Sequence, residues 1–219
     1  MWGARLTANF ARKGGYGAVA ASRGPVVRAA FRARDPWHPL LQELFHALFV
    51  CAYQHALIWA FSAPAFFYAA RARAPLGAAD AAAAAVLLLC VAAETWADEA
   101  QWAFQSKKHA MTPAERKAAG GDFARGFLTA GPFAISRHLN FFAEQGIWFS
   151  FSALAYAGGA RGAAAQGAFL GPLFLSMLFQ GSTWLTEKLS VEKYPRYKDY
   201  QQTTSRLLPW FPGAPLKGN

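Results

Sequence analysis

Acidic residues and cysteines are scarce in this chain of 219 residues. It has 12 aspartates and glutamates against 22 lysines and arginines, which gives a formal net charge of +10. The two cysteines, Cys51 and Cys90, lie in apolar segments without the spacing of a metal site, so we interpret them as small buried hydrophobic residues. There is no Gly-x-Gly-x-x-Gly fingerprint and no phosphate-binding P-loop. These absences exclude a cysteine-based metal site and the standard nucleotide-binding signatures.

Charged residues of either sign are also few, at 16% of the chain, while 54% of the residues are hydrophobic. That balance is too apolar for an ordinary soluble domain. The apolar residues fall into blocks long enough to cross a bilayer as helices. Pro64, inside the first block, is expected to kink or end its helix. The sequence therefore predicts four transmembrane helices, at about 40–70, 75–97, 141–157 and 168–185.

The predicted fold class is an all-α integral membrane protein with about four transmembrane helices, an amphipathic C-terminal helix and a basic N-terminal arm. The predicted divisions are the arm at 1–39, the membrane helical domain at 40–212 and a tail at 213–219.

The basic residues are distributed unevenly about these helices. Four spans put the N-terminus, the loop at 104–138 and the C-terminal segment on one side of the membrane. Of the 22 basic residues, only Arg71, Arg73 and Arg161 are left for the other side. This asymmetry follows the positive-inside rule and fixes an orientation. Nucleic acid is excluded as a partner because the basic residues border membrane helices and no nucleic-acid motif accompanies them. Anionic lipid headgroups are the expected partner.

The first 34 residues hold seven basic side chains and no acidic one; Asp35 is the first acid. An arginine-rich segment free of acids resembles a mitochondrial or plastid transit segment. The alternative is a basic arm lying on an anionic leaflet. We predict a mitochondrial inner-membrane location, with the endoplasmic reticulum as the alternative.

Three polar patches occur on the basic side of the predicted membrane. The first is a helical stripe at the end of the second span, with members three or four residues apart. The second is a stripe at the start of the third span, where polar groups are costly and normally face a protein interior or a polar cavity. The third follows the last span and offers three hydroxyls. The members are Glu94, Asp98, Gln101 and Gln105; Arg137, Asn140 and Glu144 with His138; and Tyr197, Tyr200 and Thr204.

Each patch has a structural interpretation. The first could be a helix leaving the membrane, the second a set of caps with an Arg–Glu pair that fixes packing, and the third an amphipathic interfacial helix. The convergence of all three on one side of the membrane predicts a site.

These motifs and their order resemble the C-terminal domain of steroid 5α-reductase-like proteins. Sterol reductases and isoprenylcysteine methyltransferases share a related layout. The resemblance covers about residues 90–212. The residues that carry it are Ala97-Asp98, Gln101 and Phe104; Ser136-Arg137-His138, Asn140-Phe141-Phe142 and Glu144; and Glu187-Lys188, Tyr197, Tyr200, Thr204 and Leu208-Pro209-Trp210-Phe211-Pro212.

The resemblance implies an NADPH site at the end of a helical bundle and hydride transfer to a carbon–carbon double bond of a lipid. Glu144 would orient Arg137 or an amide. The implied cofactor-binding residues are Asp98 and Gln101, which would line the site; Arg137, His138 and Asn140, which would contact the phosphates and the amide; Glu144; and Tyr197 and Tyr200, which would close the pocket.

The sequence departs from the family pattern at two positions of the second motif. Leu139 stands in place of a proline, and Phe141 in place of a tyrosine, which removes a hydroxyl. The family also has more helices before the first motif, and its substrate-holding groups cannot be mapped here. The catalytic residues are therefore unassigned; Glu43, Tyr53 and Tyr68 are candidates by residue type alone.

Metal or haem binding is not expected, because His46 and His55 are nine residues apart and fall on opposite faces of a helix.

Two functions follow. One is an NADPH-dependent membrane reductase acting on a lipid. The other is a catalytically silent accessory subunit of a mitochondrial inner-membrane complex, with other subunits as partners beside the membrane lipids. The shortened N-terminal half and Phe141 favour the second. A methyltransferase is a third alternative.

Overall fold

The computed structural model describes residues 1–16, 43–44, 46–71, 75–213 and 216. The chain divides into two compact units, Met1–Ile58 and Trp59–Asn219. Four of the arginines of the predicted basic arm (Arg23, Arg28, Arg32 and Arg34) lie outside the described residues, as do Arg73, Lys217 and most of the predicted tail. The predicted domain limits remain predictions.

In the first unit, helix α1 covers Trp2–Arg12, and a π-helical stretch covers His46–Tyr53. Helix α2, Gln54–Arg71, follows directly; it begins in the first unit, and its residues from Trp59 onward belong to the second. Pro64 is buried inside this helix and does not end it.

The second unit continues with seven further helices in the described chain. Two are long: α3, Ala78–Ala110, and α8, Ala163–Lys193. The others are α4, Pro113–Ala119; α5, Gly121–Arg125; α6, Pro132–Ile135; α7, Leu139–Ala157; and α9, Tyr197–Thr203.

Local chemistry sets several helix ends. Asp80 accepts a hydrogen bond from the backbone N–H of Gly77 at 2.9 Å, at the start of α3. Thr112 and Glu115 form a reciprocal capping box at the start of α4, with 2.7 Å from the Thr112 N–H to the Glu115 carboxylate. Pro113 occupies the first turn, where a missing N–H costs nothing. These caps place α4 immediately after the end of α3.

Helix α7 lies between α3 and α8 and packs against both. Small residues allow the close approach, as they do in membrane bundles. Gly146 of α7 faces Cys90 of α3. Ser152 donates a hydrogen bond to the Ala168 carbonyl of α8 at 2.6 Å. In the second unit, the backbones of α3, α7 and α8 therefore pack closely against one another.

Three helical segments of the described chain are long and apolar enough to cross a membrane: His46–Ala69, Ala78–Ala110 and Ala165–Lys193. The all-helical membrane class is confirmed. The predicted third span corresponds to α7, which has 19 residues but carries Asn140, Glu144 and Gln145 in its first two turns. These polar residues lower its mean hydropathy, and α7 is not among the three candidate spans, so the count of four spans remains a prediction.

Candidate functional site

The turn 136–138 joins α6 to α7 and is held against the C-terminal segment by backbone hydrogen bonds. The Arg137 N–H donates to the Ser205 carbonyl at 2.9 Å, and the Trp210 N–H donates to the Ile135 carbonyl at 2.9 Å. The Ser136 hydroxyl donates to the Leu207 carbonyl at 2.8 Å. The second and third sequence motifs therefore meet in space.

The guanidinium of Arg137 is buried, with 7% of the side chain exposed. Its Nε donates to Glu187 Oε1 at 2.7 Å and its Nη2 to Glu187 Oε2 at 3.1 Å. Its Nη1 donates to the carbonyls of Gln201 and Thr204. This two-point pairing uses the planar geometry that distinguishes arginine from lysine. All three nitrogens of the guanidinium are thus engaged within the chain.

Glu187 is the centre of this arrangement, which we call the Glu187 network: Arg137, His138, Glu187 and Gln201. Besides the two bonds from Arg137, the carboxylate meets His138 Nε2 at 3.0 Å and accepts from Gln201 Nε2 at 2.8 Å. Glu187 carries part of the family resemblance, but the sequence predicted no role for its carboxylate. The available signal was a carboxylate at the end of an apolar helix, which needs a partner.

The prediction that Arg137, Asn140 and Glu144 form one helical stripe is wrong for Arg137. Helix α7 begins at Leu139, so Arg137 precedes it and its side chain is not on the helical face that carries Asn140 and Glu144. Arg137 pairs with Glu187, while Glu144 accepts a hydrogen bond from Trp148 Nε1 at 2.8 Å. The extended backbone at Ser136 turns the chain before the helix starts and redirects the arginine.

Phe141, the departure from the family pattern, has a packing role. Its ring stacks on His138 with centroids 5.4 Å apart and on Phe179 with centroids 4.6 Å apart. The imidazole of His138 is therefore fixed by Glu187 on its edge and by Phe141 on its face.

The first motif reaches the same region. Ala97 of α3 is fully buried against Phe133 and Leu139, so the α3 turn with Asp98 and Gln101 lies beside the segment joining α6 and α7. Asp98, Gln101 and Asn140 are all half-buried. Among the described residues, the side-chain amides of Gln101 and Asn140 have no hydrogen-bond partner.

Tyr197 and Tyr200 of α9 pack around Phe127, with 7% and 2% of each residue exposed. The Tyr200 hydroxyl donates to the Phe133 carbonyl. Burial, with the nearby charge of Glu187 as a smaller cause, raises the pKa of Tyr197 to about 12, and burial also raises the pKa of Tyr200. The structure places both tyrosines in a core cluster, and their predicted role in closing a pocket remains a prediction.

We expect Tyr197→Phe to reduce the loss of stability at alkaline pH. An unfolded tyrosine ionises near pH 10. With a folded pKa of about 12, the stabilisation from neutral Tyr197 is complete below pH 10 and is lost as the pH rises through 12. The Tm of the variant should therefore fall less between pH 10 and 12 than that of the native chain. Tyr16→Phe, at a tyrosine that is 71% exposed, is the control and should keep the native profile. An unchanged profile in Tyr197→Phe would contradict the assignment.

Tyr68, one of the candidates for a substrate-holding group, does not lie at the Glu187 network. The ring of Tyr68 packs against Gly158, just past the end of α7 opposite the network. A 19-residue helix is about 28 Å long, so Tyr68 is distant from Glu187. Glu43 and Tyr53 belong to the first unit. Within the described ranges no group of histidine, cysteine, aspartate or glutamate could hold a metal ion.

Helices that could span a membrane, together with the polar network at the end of one of them, define this protein as an all-helical integral membrane protein. The chain matches the family described as "Protein of unknown function (DUF1295)" over residues 1–204, and it belongs to that family. It is also 34% identical, over 98% of its length, to an uncharacterized protein of Schizosaccharomyces pombe. The chain spans 62% of that relative's length. No solved structure matches it.

Proposed function

We propose that this protein is an NADPH-dependent membrane reductase of the steroid 5α-reductase type, which saturates a carbon–carbon double bond of a lipid. The observation that carries the proposal is the packing of the three motifs about the segment that joins α6 to α7. Asn140 lies two residues after His138 at the start of α7, Gln101 lies one turn after Ala97 in α3, and both side chains are half-buried. Amides of this kind suit the carboxamide of a nicotinamide ring.

The fit to NADPH changes the role expected for Arg137. Its guanidinium is committed to Glu187 and to two carbonyls, so it has no nitrogen left without a partner for a phosphate. In this proposal Arg137 and His138 are positioning residues that fix the turn 136–138. NADPH, when bound, would supply the hydride. The side chains of Gln101 and Asn140 would bind and orient it.

A second candidate function is a catalytically silent accessory subunit. Every guanidinium nitrogen of Arg137 is hydrogen-bonded within the chain, and this favours the accessory subunit. Such a network stabilises the fold whether or not a cofactor binds. The mitochondrial inner membrane is the proposed location under either function, with the endoplasmic reticulum as the alternative. The acid-free, basic segment before Asp35 supports the mitochondrial location.

NADPH binding to the purified chain in detergent distinguishes the two functions. We expect micromolar binding by the native protein, measured by titration calorimetry. Gln101→Ala and Asn140→Ala should each weaken binding about three- to tenfold, the usual effect of losing one hydrogen bond. Neither substitution removes a side-chain hydrogen bond within the described part of the chain.

The matched control is Gln166→Ala, an exposed glutamine in the first turn of α8, at the other end of the bundle. It should bind NADPH as the native chain does. A folded native protein that does not bind NADPH would refute the reductase and favour the accessory subunit.

A further inference from the structure

A concave surface, which we call the basic cleft, lies where α3 and α8 both end. It has a volume of about 790 Å³. Its walls come from the last turn of α3, from α4 and α5, and from the end of α8 with the residues 194–196 that follow it. None of its lining residues is acidic, and six are lysine or arginine: Lys108, Arg116, Lys117, Arg125, Lys193 and Arg196.

Lys108 is the most informative member of the cleft, because it is only 7% exposed. Its Nζ donates to the Gly126 carbonyl at 2.7 Å and to the Tyr194 hydroxyl at 3.1 Å. An ammonium has three donors, so one remains for another group. Within the described ranges Lys108 has no carboxylate partner. A buried cation without an anion is costly, and an anion in the cleft would remove that cost.

Tyr194 and Gly126 shape the site around this ammonium. The Tyr194 ring lies 5.2 Å from Lys108 Nζ and 5.3 Å from Lys193 Nζ. Burial raises the pKa of Tyr194, but hydrogen bonds and charge from the two lysines outweigh it and lower that pKa below its usual value. Gly126 has φ +88°, and a Cβ there would lie 2.6 Å from the Tyr194 ring. Glycine at this position therefore permits both the turn and the close contact.

Two acidic side chains near the cleft pair with two of its arginines, and a third caps a helix. Asp122 pairs with Arg125 at 2.7 Å and accepts from Thr129, and Asp199 is 3.5 Å from Arg196. Glu115 caps the start of α4. Arg125 Nε is buried without a hydrogen-bond partner in the described structure. In the same part of the chain, four cations of the cleft have no carboxylate partner: Lys108, Arg116, Lys117 and Lys193.

We propose that the basic cleft binds a phosphate group, carried either by an anionic phospholipid of the adjoining leaflet or by a soluble nucleotide. Two candidate spans end at the cleft, which places it at the level of lipid headgroups. Basic pockets between helix ends on the positively charged side of a membrane protein suit such headgroups. This site uses residues that the proposed reductase function does not use.

Ligand-dependent thermal stability tests the proposal on the full chain in neutral detergent. The probes are phosphatidylglycerol in mixed micelles, phosphatidylcholine as the lipid control, inorganic phosphate and NADPH. We expect phosphatidylglycerol at about a hundredfold excess over its Kd to raise the Tm by about 5 °C. Phosphatidylcholine should have no such effect. The double variant Lys117→Ala/Lys193→Ala should lose most of the shift.

The matched control is Lys188→Ala/Lys198→Ala, which removes the same charge at two exposed lysines that do not line the cleft. It should keep the shift. Stabilisation by phosphate or NADPH instead, lost in the cleft variant, would support the same site with a soluble source of phosphate. Absence of a shift with every anion, or an equal loss in both double variants, would overturn the proposal. The proposed reductase function is tested separately by NADPH binding to Gln101→Ala and Asn140→Ala. Unchanged NADPH binding in these two variants would count against the reductase site and not against the basic cleft.

Discussion

Replacing Glu187 with alanine is expected to cost about 3–5 kcal/mol of folding free energy, the usual cost of breaking a buried ion pair by removing one partner. The carboxylate accepts two bonds from Arg137 and one from Gln201, and it contacts His138. Its loss would leave the guanidinium buried without a counter-charge. Equilibrium unfolding of the detergent-solubilised chain, followed by tryptophan fluorescence, measures the change.

Glu192→Ala is the matched control for this prediction. Glu192 is exposed, lies in the same helix α8 and differs from Glu187 mainly in burial. Its replacement should change stability by less than about 0.5 kcal/mol. A double-mutant cycle of Arg137→Met and Glu187→Leu adds a second check, because the double variant should lose less than the sum of the single losses. Additive losses would show that the pair is not coupled.

Replacing Gly171 with alanine should cost about 1–3 kcal/mol, the range for overpacking a close contact. A Cβ at this position would lie 2.6 Å from backbone atoms of Phe61 and 2.7 Å from the carbonyl carbon of Ala60. Backbone atoms of a neighbouring helix cannot relieve the clash by a change of rotamer, as the end of a flexible side chain can. Helices α2 and α8 would have to move apart, with a loss of packing along their contact. The same unfolding assay in detergent measures the effect.

Gly181→Ala tests whether the cost at Gly171 comes from the helix contact or from alanine itself. Gly181 is in the same helix, and a Cβ there meets no atom within 4 Å. Alanine should be neutral or stabilising at this position by up to about 1 kcal/mol, because it is the better helix former. Equal effects of the two substitutions would contradict the close contact at Gly171.

The helical, membrane-spanning character of the chain could be predicted from sequence because it depends on local composition. Apolar blocks such as 168–185 are properties of contiguous residues, and bilayer thickness fixes the length they need. The polar stripe of α3 could also be predicted from sequence, since helical spacing alone sets which residues share a face. Glu94 is 5% exposed while Trp96 is 52% exposed, in agreement with that face.

The partner of Arg137 could not be predicted in the same way. The sequence offers both Glu144 and Glu187 as acidic residues on the predicted basic side. The start of α7 at Leu139 leaves Arg137 outside the helical stripe. Helical spacing cannot foresee a turn at Ser136 or the packing of a carboxylate 50 residues away in the chain. The burial of Tyr197 and Tyr200 around Phe127 could not be predicted either, because it also depends on contact between segments that are distant in the chain.

The sequence by itself determined the apolar helices, since they are fixed by which residues adjoin one another; the concentration of basic charge on one side of the membrane stays a prediction. Only the tertiary structure decided that Glu187 neutralises Arg137, and that Lys108 stands buried in the basic cleft with no carboxylate beside it among the described residues. Those outcomes depend on which distant segments meet, because the pairing of a buried charge is settled by packing across the bundle and not by its neighbours in the chain.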